Sequence, residues 1–496
     1  MNFSNAISAL LSGTRLGFAY DALLNKFDAA SWSEDRSWRR ANLEAPRLDI
    51  TRCTREQLQG KALDFEQNSP LFNKLADVWE QYTVGSGLQF FPDTSDQEFN
   101  KAALDTWDAW KPFADVSSRF GFDVKQGVIS RETFVIGGDF VLLTRDPSNN
   151  RPRIQTIEAH FCKTPPSMAA QEGKTIFDGV VTDAAGRPTH YWFQTDTKTF
   201  ERFESWQVIH VFEPSRHGQL REIPYIACAT NTLTDMLDLA ALEMKHCKVN
   251  AQNSLNVYTE SGEMPPGMGY SQRRFVDQAT QLAYGTAGET EKKAQYYREA
   301  YAGRVNVAMQ GDKIEEHVSQ RPSEAWRAQQ RSLAENVCVG VGIPYVLVYP
   351  DSMQGTVYRG SLDAAAAFFR SKSGMFASHF QRIYEYVINM EAAFNPRLAK
   401  RPLDWKKTSV RAPRAVNVDV GRNSNAMVQE LQSGLRTYKA CAAELGLDGM
   451  QLLREKADEA VFIRELADAR NINVSEISTL QQSEPQQVAE PDPPLK

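Results

Sequence analysis

At 496 residues, 42% of them hydrophobic and 24% charged, the chain has the composition of a folded protein and is too long for one simple core. It contains no run of 18 apolar residues, which excludes a conventional membrane-spanning helix. Its formal net charge is −6, whereas a tight duplex-DNA binder carries a basic face because phosphate neutralisation dominates its affinity. Nucleic acid is therefore either irrelevant here or has to pass without sticking.

In chain order, residues 1–50 read as an arm. The apolar stretch at 6–11 lacks the basic flank and small-residue cleavage site of a signal peptide, and a charged, aromatic patch follows at Trp32, Trp38, Arg39 and Arg40. The spacing predicts one helix from Thr54 to Val84, with Leu71, Leu75, Val78 and Trp79 on one side, Thr54 as N-cap and Gly85-Ser86-Gly87 as the stop. A second helix is predicted over 96–113. From 133 to 213 the period shifts towards two, predicting strands at 133–136, 140–143, 154–157, 191–193 and 208–212. Turn signals at 146–150 and 185–188 separate them, and nothing alternates with helices as a doubly wound sheet requires.

Helix returns near Pro224, with a seam of Leu233, Leu237, Ala240, Met244 and Cys247. Asp235, Asp238, Lys245 and Lys248 fall on another face. Residues 251–321 read as a small inserted α/β unit, with a strand near 255–258 and a strand or loop at 304–309. Its two helices carry Arg273, Arg274, Lys292, Lys293 and Arg298, a local positive charge in an acidic protein. Ser323 is the predicted N-cap of the next helix, whose stripe is Trp326, Leu333 and Val337.

A loop follows: Gly340-Val341-Gly342-Ile343-Pro344, an uncharged tract at 345–349, and a tip at 350–356 without Lys or Arg. Gly340, Gly342 and Gly355 are expected to let it move. From Ser361 a helix of roughly 34 residues is predicted, about 50 Å long. Its seam of Phe369, Phe376, Phe380, Ile383, Val387, Met390 and Phe394 is heptad-like, and Pro396 is expected to end it. The tail from about Gln481, with Pro485, Pro491, Pro493 and Pro494, has the composition of a disordered segment.

The search for chemistry is negative. Cys53, Cys162, Cys228, Cys247, Cys338 and Cys441 form no CxxC, so zinc-ribbon and dithiol readings fail. His246 and Cys247 would point about 100° apart on a helix and chelate poorly. GxxxxGK[ST], GxSxG and HExxH are missing, and Gly340-Val341-Gly342 leads into Ile343-Pro344 rather than a phosphate-binding helix. Acidic pairs such as Asp235/Asp238 and Glu315/Glu316 are what chance yields among 62 acidic residues. No catalytic, cofactor-binding or metal-ligating residue is assigned. His210 with Arg216, His217 and Arg221 allows two readings: an anion site at a helix start, or a turn that locks a strand to a helix, which is the simpler.

Short motifs spread over residues 15–470 nevertheless share one order. They include Asn68-Ser69-Pro70, Val84-Gly85-Ser86-Gly87-Leu88, Gly138-Asp139-Phe140, Gly179 with Gly186-Arg187 and Tyr191, His210-Val211-Phe212, and Arg216 through Arg221. Further on come Gly342-Ile343-Pro344-Tyr345, Val357-Tyr358-Arg359-Gly360-Ser361, Trp405 with Pro413 and Val418-Asp419, and Gly434-Leu435-Arg436-Thr437 before Glu444 to Asp448. In these the chain resembles the portal proteins of the lambda-type tailed-phage family. It departs from the pattern at Glu222, where a glycine is usual, and matches it only loosely at Tyr358–Ser361.

The resemblance implies an α+β portal fold assembled as a closed ring, typically of twelve subunits. Residues 1–50 would be the N-terminal arm and 51–223 the first part of a β-rich wing. Residues 224–250 and 322–341 would be the two stem helices around an α/β clip at 251–321. The tunnel loop would be 342–360, the long wing helix 361–403, an α-helical crown 404–480 and the tail 481–496. The implied partners are double-stranded DNA passing without sequence preference, the terminase, the major capsid or scaffold protein and a head–tail connector. No cofactor and no membrane is implied, and the place is the virion's portal vertex after assembly in the host cytoplasm. Asp351, Met353, Gln354 and Tyr358 would face DNA from the tunnel loop. Lys245, Lys248, Arg327 and Arg331 would lie in the channel or pair between subunits, and Arg273, Arg274, Lys292 and Lys293 would form the clip's basic surface. A head–tail adaptor without a channel and a soluble hydrolase are the other classes considered.

Overall fold

The structure is a computed structural model describing residues 45, 49–196, 199–251, 255–259, 305–309, 324–350, 355–413, 420–444, 449–470 and 472–473. The expectations for the arm through 44, the clip helices with Arg273, Arg274, Lys292 and Lys293, the N-cap Ser323, the loop tip with Asp351, Met353 and Gln354, and the tail lie outside those residues.

The helix predicted over 54–84 is two helices, α1 (Arg52–Asn68) and α2 (Pro70–Thr83). Proline breaks a helix interior but suits a first turn, and the Ser69 side chain accepts from Phe72 N to cap α2. Thr54 is not a cap; it lies inside α1, and its N–H donates to Thr51 Oγ1 at 3.3 Å. Strand β1 (Gln89–Pro92) leads to α3 (Gln97–Trp110), capped by Asp96 and extended by a 3-10 turn at Lys111–Phe113.

Residues 133–135, predicted as strand, are the last turn of α4 (Phe122–Val135). Its buried residues Phe122, Gln126, Ile129, Ser130 and Thr133 recur at helical spacing, and Trp79 Nε1 donates to Ser130 O at 3.0 Å. Tertiary packing overrides the β-propensity of Thr-Phe-Val-Ile. Gly137, at φ +96°, then turns the chain where a Cβ would meet the Ile223 backbone at 2.4 Å.

The strands that follow are β2 (Gly138–Arg145), β3 (Pro152–Glu158), β4 (Ile176–Phe177), β5 (Val180–Thr182), β6 (Pro188–Gln194), β7 (Phe200–Glu204) and β8 (Val208–Phe212). They form two small sheets, ordered β3-β2-β8 and β4-β5-β6-β7. Antiparallel pairing sets Phe140 opposite Ile157 and His210. A 3-10 turn at Tyr225–Cys228 opens α5 (Thr230–Ala251). Strands β9 (Leu255–Thr259) and β10 (Val305–Met309) pair in parallel.

Helix α6 (Glu324–Val341) precedes α7 (Gly355–Glu391), which has 37 residues and starts six residues before the predicted Ser361. Leu362, Ala365 and Phe369 are buried at spacings of three and four, so the inward stripe continues up to the first turns. α7 also ends before Pro396, which instead begins α8 (Pro396–Ala399) under an Asn395 cap. Strand β11 (Thr408–Arg411) pairs with β1, and α9 (Val420–Gln432), α10 (Tyr438–Glu444) and α11 (Gly449–Arg470) follow. No described helix is long and apolar enough to cross a membrane.

The chain divides into two units. The smaller is made mainly of residues 162–202 and 214–221. Its core holds Cys162, Ile176, Phe177, Val180 and Phe193, and buried Arg221 donates to Cys162 O at 2.9 Å and pairs with Asp178 at 3.3 Å.

The larger unit spans 55–161, 203–213 and the chain from 222. Trp79 is fully buried, its ring 5.3 Å from Phe134, 4.5 Å from Tyr225 and 6.4 Å from Phe376. The α7 seam is buried in this core: Phe369, Phe376, Phe380, Ile383 and Val387 are at most 3% exposed. Helices α2 and α3, strands β3 and β8, and Phe122 of α4, 5.8 Å from Phe380, pack against α7 within the same chain. Phe394 lies beyond the helix, 42% exposed under the Arg151 guanidinium.

Candidate functional site

Helices α5 and α6 run antiparallel. Gln330 of α6 donates to Met236 O of α5, while Gly340 lies against Ala229 and accepts from Cys228 Sγ at 3.2 Å. A Cβ on Gly340 would come within 2.8 Å of Ala229 Cβ, so glycine allows this close approach. α6 ends in a turn in which Gly342 N donates to Val339 O and Ile343 N to Cys338 O, both at 3.1 Å. Gly342 has φ +77°, and a Cβ there would sit 3.0 Å from the Phe368 ring of α7.

The expected freedom of Gly340 and Gly342 is thus corrected: both are packing positions. Ile343 and Val346 are buried and Tyr345 stacks on Tyr349 at 4.7 Å, so the first half of the loop is anchored. Burial, and secondarily Glu335, push the Cys338 thiol up to about 12, away from thiolate chemistry.

A three-residue latch ties this base to α7. Lys372 Nζ donates to the two Glu213 oxygens at 2.7 and 2.6 Å, and Tyr225 Oη donates to the same carboxylate. The ammonium also lies 5.5 Å from the Tyr225 ring and 5.0 Å from Phe368. Burial first, then the Glu213 hydrogen bond and charge, hold the Tyr225 phenol far above its ordinary value.

Beside it lies a buried polar network. His210 Nε2 is 3.0 Å from Glu222 Oε2, and Arg55 Nη1 is 3.2 Å from Glu222 Oε1 and 2.7 Å from Gln59 Oε1. Gln59 Nε2 donates to Ile136 O at 2.9 Å, which satisfies the carbonyl at the end of α4. His210 stacks between Phe140 and Phe212, each 4.1 Å away. The structure thus divides the polar cluster seen in the sequence. His210 takes the strand-locking role, Arg216 pairs with Asp49 at 2.8 Å, and Arg221 is buried in the smaller unit. Local sequence gave no sign of Arg55 and Gln59, which lie 167 and 163 residues from Glu222.

Buried Asp139 on β2 and half-buried Glu132 on α4 form an acidic pair. Desolvation first, then Glu158, push Glu132 up to about 7; desolvation first, then Glu132, raise Asp139 well above the usual carboxylate range.

Of the residues singled out from sequence, Lys245 and Lys248 are exposed on α5. The seam predicted there turns partly outward: Leu233 is buried, but Met244 is 57% exposed and Glu243 takes the inward position. Arg327 lies 4.0 Å from Glu324, and Arg331 Nε is 2.9 Å from Glu335 Oε1. Both pairs are within α6, and exposed helix pairs of this kind contribute little. Tyr358 is half-buried on the first turn of α7 rather than on a loop; after burial, it is the second cause raising the Tyr82 phenol.

Comparison with known proteins gives one family. The family model for phage portal proteins of the lambda family matches residues 33–362. Among solved structures, the chain is similar to a chain in the neck of an empty gene transfer agent particle computed with C6 symmetry, with 11% identity, 78% of this chain and 94% of that one covered, and a TM-score of 0.44. It is also similar to a chain in the virion of a native gene transfer agent particle, with 13% identity, 79% and 93% coverage and a TM-score of 0.41. No curated protein matches it in sequence.

Proposed function

The chain belongs to the phage portal proteins of the lambda family, and from that premise we propose that copies of it close into a ring through which double-stranded DNA is packaged and ejected. The ring stands at one capsid vertex after assembly in the host cytoplasm. α5 and α6 form the stem, residues 251–321 dock the terminase and later the head–tail connector, and α9 to α11 form the crown. The wing meets the major capsid or scaffold protein. The protein's work is structural, with no catalytic step of its own.

The observation that supports this reading best is the anchoring of the antiparallel α5–α6 pair. One end is fixed to α7 through Gly342, Phe368 and the Lys372–Glu213–Tyr225 latch, whereas Leu242, Met244 and Val339 remain exposed along it. Exposed apolar side chains on a fixed helical pair suit heterologous contacts that close into a ring. The sparse exposed cations Lys245, Lys248, Arg327 and Arg331 suit a wall that DNA passes rather than one it binds.

Negative-stain imaging of the purified protein tests the reading. A ring with a hole about as wide as duplex DNA is the expected result; a stable monomer at all concentrations overturns it. Trimming residues 351–354, ahead of α7, should impair packaging or DNA retention while leaving the ring intact.

A further inference from the structure

The larger unit carries a cleft of about 740 Å³ that the portal reading does not use. Its walls are β2 with Gln155 of β3, the end of β7 and the turn after it, one face of α7, and the segment between α8 and β11. Four aromatic side chains line it: Phe203, Trp206, Tyr386 and Trp405. Trp206 is 63% exposed, a large apolar surface left in water. Tyr386 is held by its hydroxyl, which donates to Thr144 O at 2.6 Å. Two cations approach the Trp405 ring, Arg401 at 5.0 Å and Lys406 at 5.4 Å from its centroid. Arg145, Arg382 and Lys406 add positive charge to the lining, against the carboxylate of Glu385, which sits 2.8 Å from Lys406.

Exposed aromatic side chains beside cations suit a ligand that is proline-rich and acidic. Proline rings lie flat on indole and phenol faces, and a polyproline segment loses little entropy because its φ angles are already fixed. The chain carries such a segment. Residues 484–494 read Glu-Pro-Gln-Gln-Val-Ala-Glu-Pro-Asp-Pro-Pro, with Pro485, Pro491, Pro493 and Pro494 beside Glu484, Glu490 and Asp492 and no basic residue. From residue 473, the last one described, the 17 residues to Glu490 span at most about 56–61 Å when extended. A tethered segment also meets its site at an effective concentration of the order of millimolar.

We propose that this cleft is the docking groove for the chain's own proline-rich acidic segment, residues 484–494. The prolines stack on Trp206 and Trp405, and Glu490 and Asp492 face Arg145, Arg382 and Lys406. Docking ties the end of the crown to that face of α7.

Hydrogen exchange over residues 203–207 and 403–407 tests it, in the full chain and in a chain ending at residue 480. Removing the segment should speed exchange there roughly tenfold. A synthetic peptide of residues 481–496, added at millimolar concentration to the shortened chain, should restore the protection. The same peptide carrying Glu490→Lys and Asp492→Lys should not, and added salt should weaken the authentic one. Trp206→Ala in the full chain replaces an exposed side chain, so the body stays folded while exchange at 403–407 rises as in the shortened chain. Equal exchange in both chains, or a peptide without effect, overturns the proposal. Protection that exists in the assembled ring but not in the monomer overturns it too, because the groove would then hold a neighbouring copy's segment.

Discussion

Glu222 Oε2 lies 3.0 Å from His210 Nε2 with both side chains withdrawn from solvent, and Arg55 approaches the other oxygen of the same carboxylate at 3.2 Å. One carboxylate therefore joins the end of the sheet, at β8, to α1.

Glu222→Ala is expected to destabilise the larger unit by about 3–5 kcal/mol, the cost of breaking a buried pair from one side. Replacing both partners with apolar residues of similar size, as in Arg55→Met with Glu222→Leu, should cost less than Glu222→Ala alone. Urea unfolding of the two variants decides. A double variant that is less stable than the single would show that the network contributes through more than charge compensation.

The acidic pair Glu132–Asp139 predicts a pH dependence. Glu132 is raised from 4.5 to about 7 in the folded protein, so the folded state binds more protons than the unfolded one between those values. Its contribution is fully present below about pH 4.5 and is lost as pH rises through about 7. The slope is at most about 1.4 kcal/mol per pH unit for one group. Asp139, also raised, acts in the same direction, with Glu158, Glu66 and Lys125 as the other charges acting on the pair. His379 runs the other way. Burial, then the charges of His210 and Arg382, push it down to about 4, so its contribution is lost as pH falls below about 6.5. The stability difference between the natural chain and Glu132→Gln, followed from pH 5 to 8, isolates the acid. A difference that does not change with pH would mean that Glu132 titrates normally.

The Lys372–Glu213–Tyr225 latch makes a third prediction. The Lys372 side chain is 13% exposed and that of Glu213 39%, so solvent screens the pair in part and its coupling should be about 1 kcal/mol. A double-mutant cycle of Lys372→Met and Glu213→Gln measures it. Additive effects would reduce the latch to a contact without energy. Tyr225→Phe should cost about 1 kcal/mol more than an exposed substitution, because its hydroxyl is the carboxylate's other donor.

These sites show why parts of the molecule were legible in sequence and others were not. The strands at 140–143, 154–157, 191–193 and 208–212 have the alternation, apolar runs and turn punctuation that local physics fixes, and β2, β3, β6 and β8 contain them. The loop base at Gly342-Ile343-Pro344 was legible for the same reason. The turn 133–136 misled because four β-formers in a row cannot reveal that Trp79, some 50 residues earlier, holds them helical. Asn68-Ser69-Pro70 carried its own break signal, and the continuous apolar spacing on either side concealed it. Arg55, Gln59 and Glu222 were beyond reach because their meeting depends on the tertiary path, not on spacing. The α7 seam was read correctly as apolar, but the sequence does not say whether a covering surface belongs to the same chain.

Gly342 at the loop base and Gly355 at the start of α7 separate strain from packing. Gly342 combines φ +77° with a Cβ position 3.0 Å from Phe368, whereas Gly355, at φ +69°, has no atom of the described residues within 4 Å of its Cβ position. Both substitutions to alanine should carry the left-handed penalty of about 1–2 kcal/mol. Only Gly342→Ala should add the cost of displacing an aromatic ring from α7, typically about 1–3 kcal/mol for overpacking. Gly342→Ala with Phe368→Leu should recover part of that second cost and none of the first. Thermal unfolding of the three variants gives the comparison. Equal losses for Gly342→Ala and Gly355→Ala would mean that the Phe368 ring yields freely, and that α6 is not held against α7 by this contact.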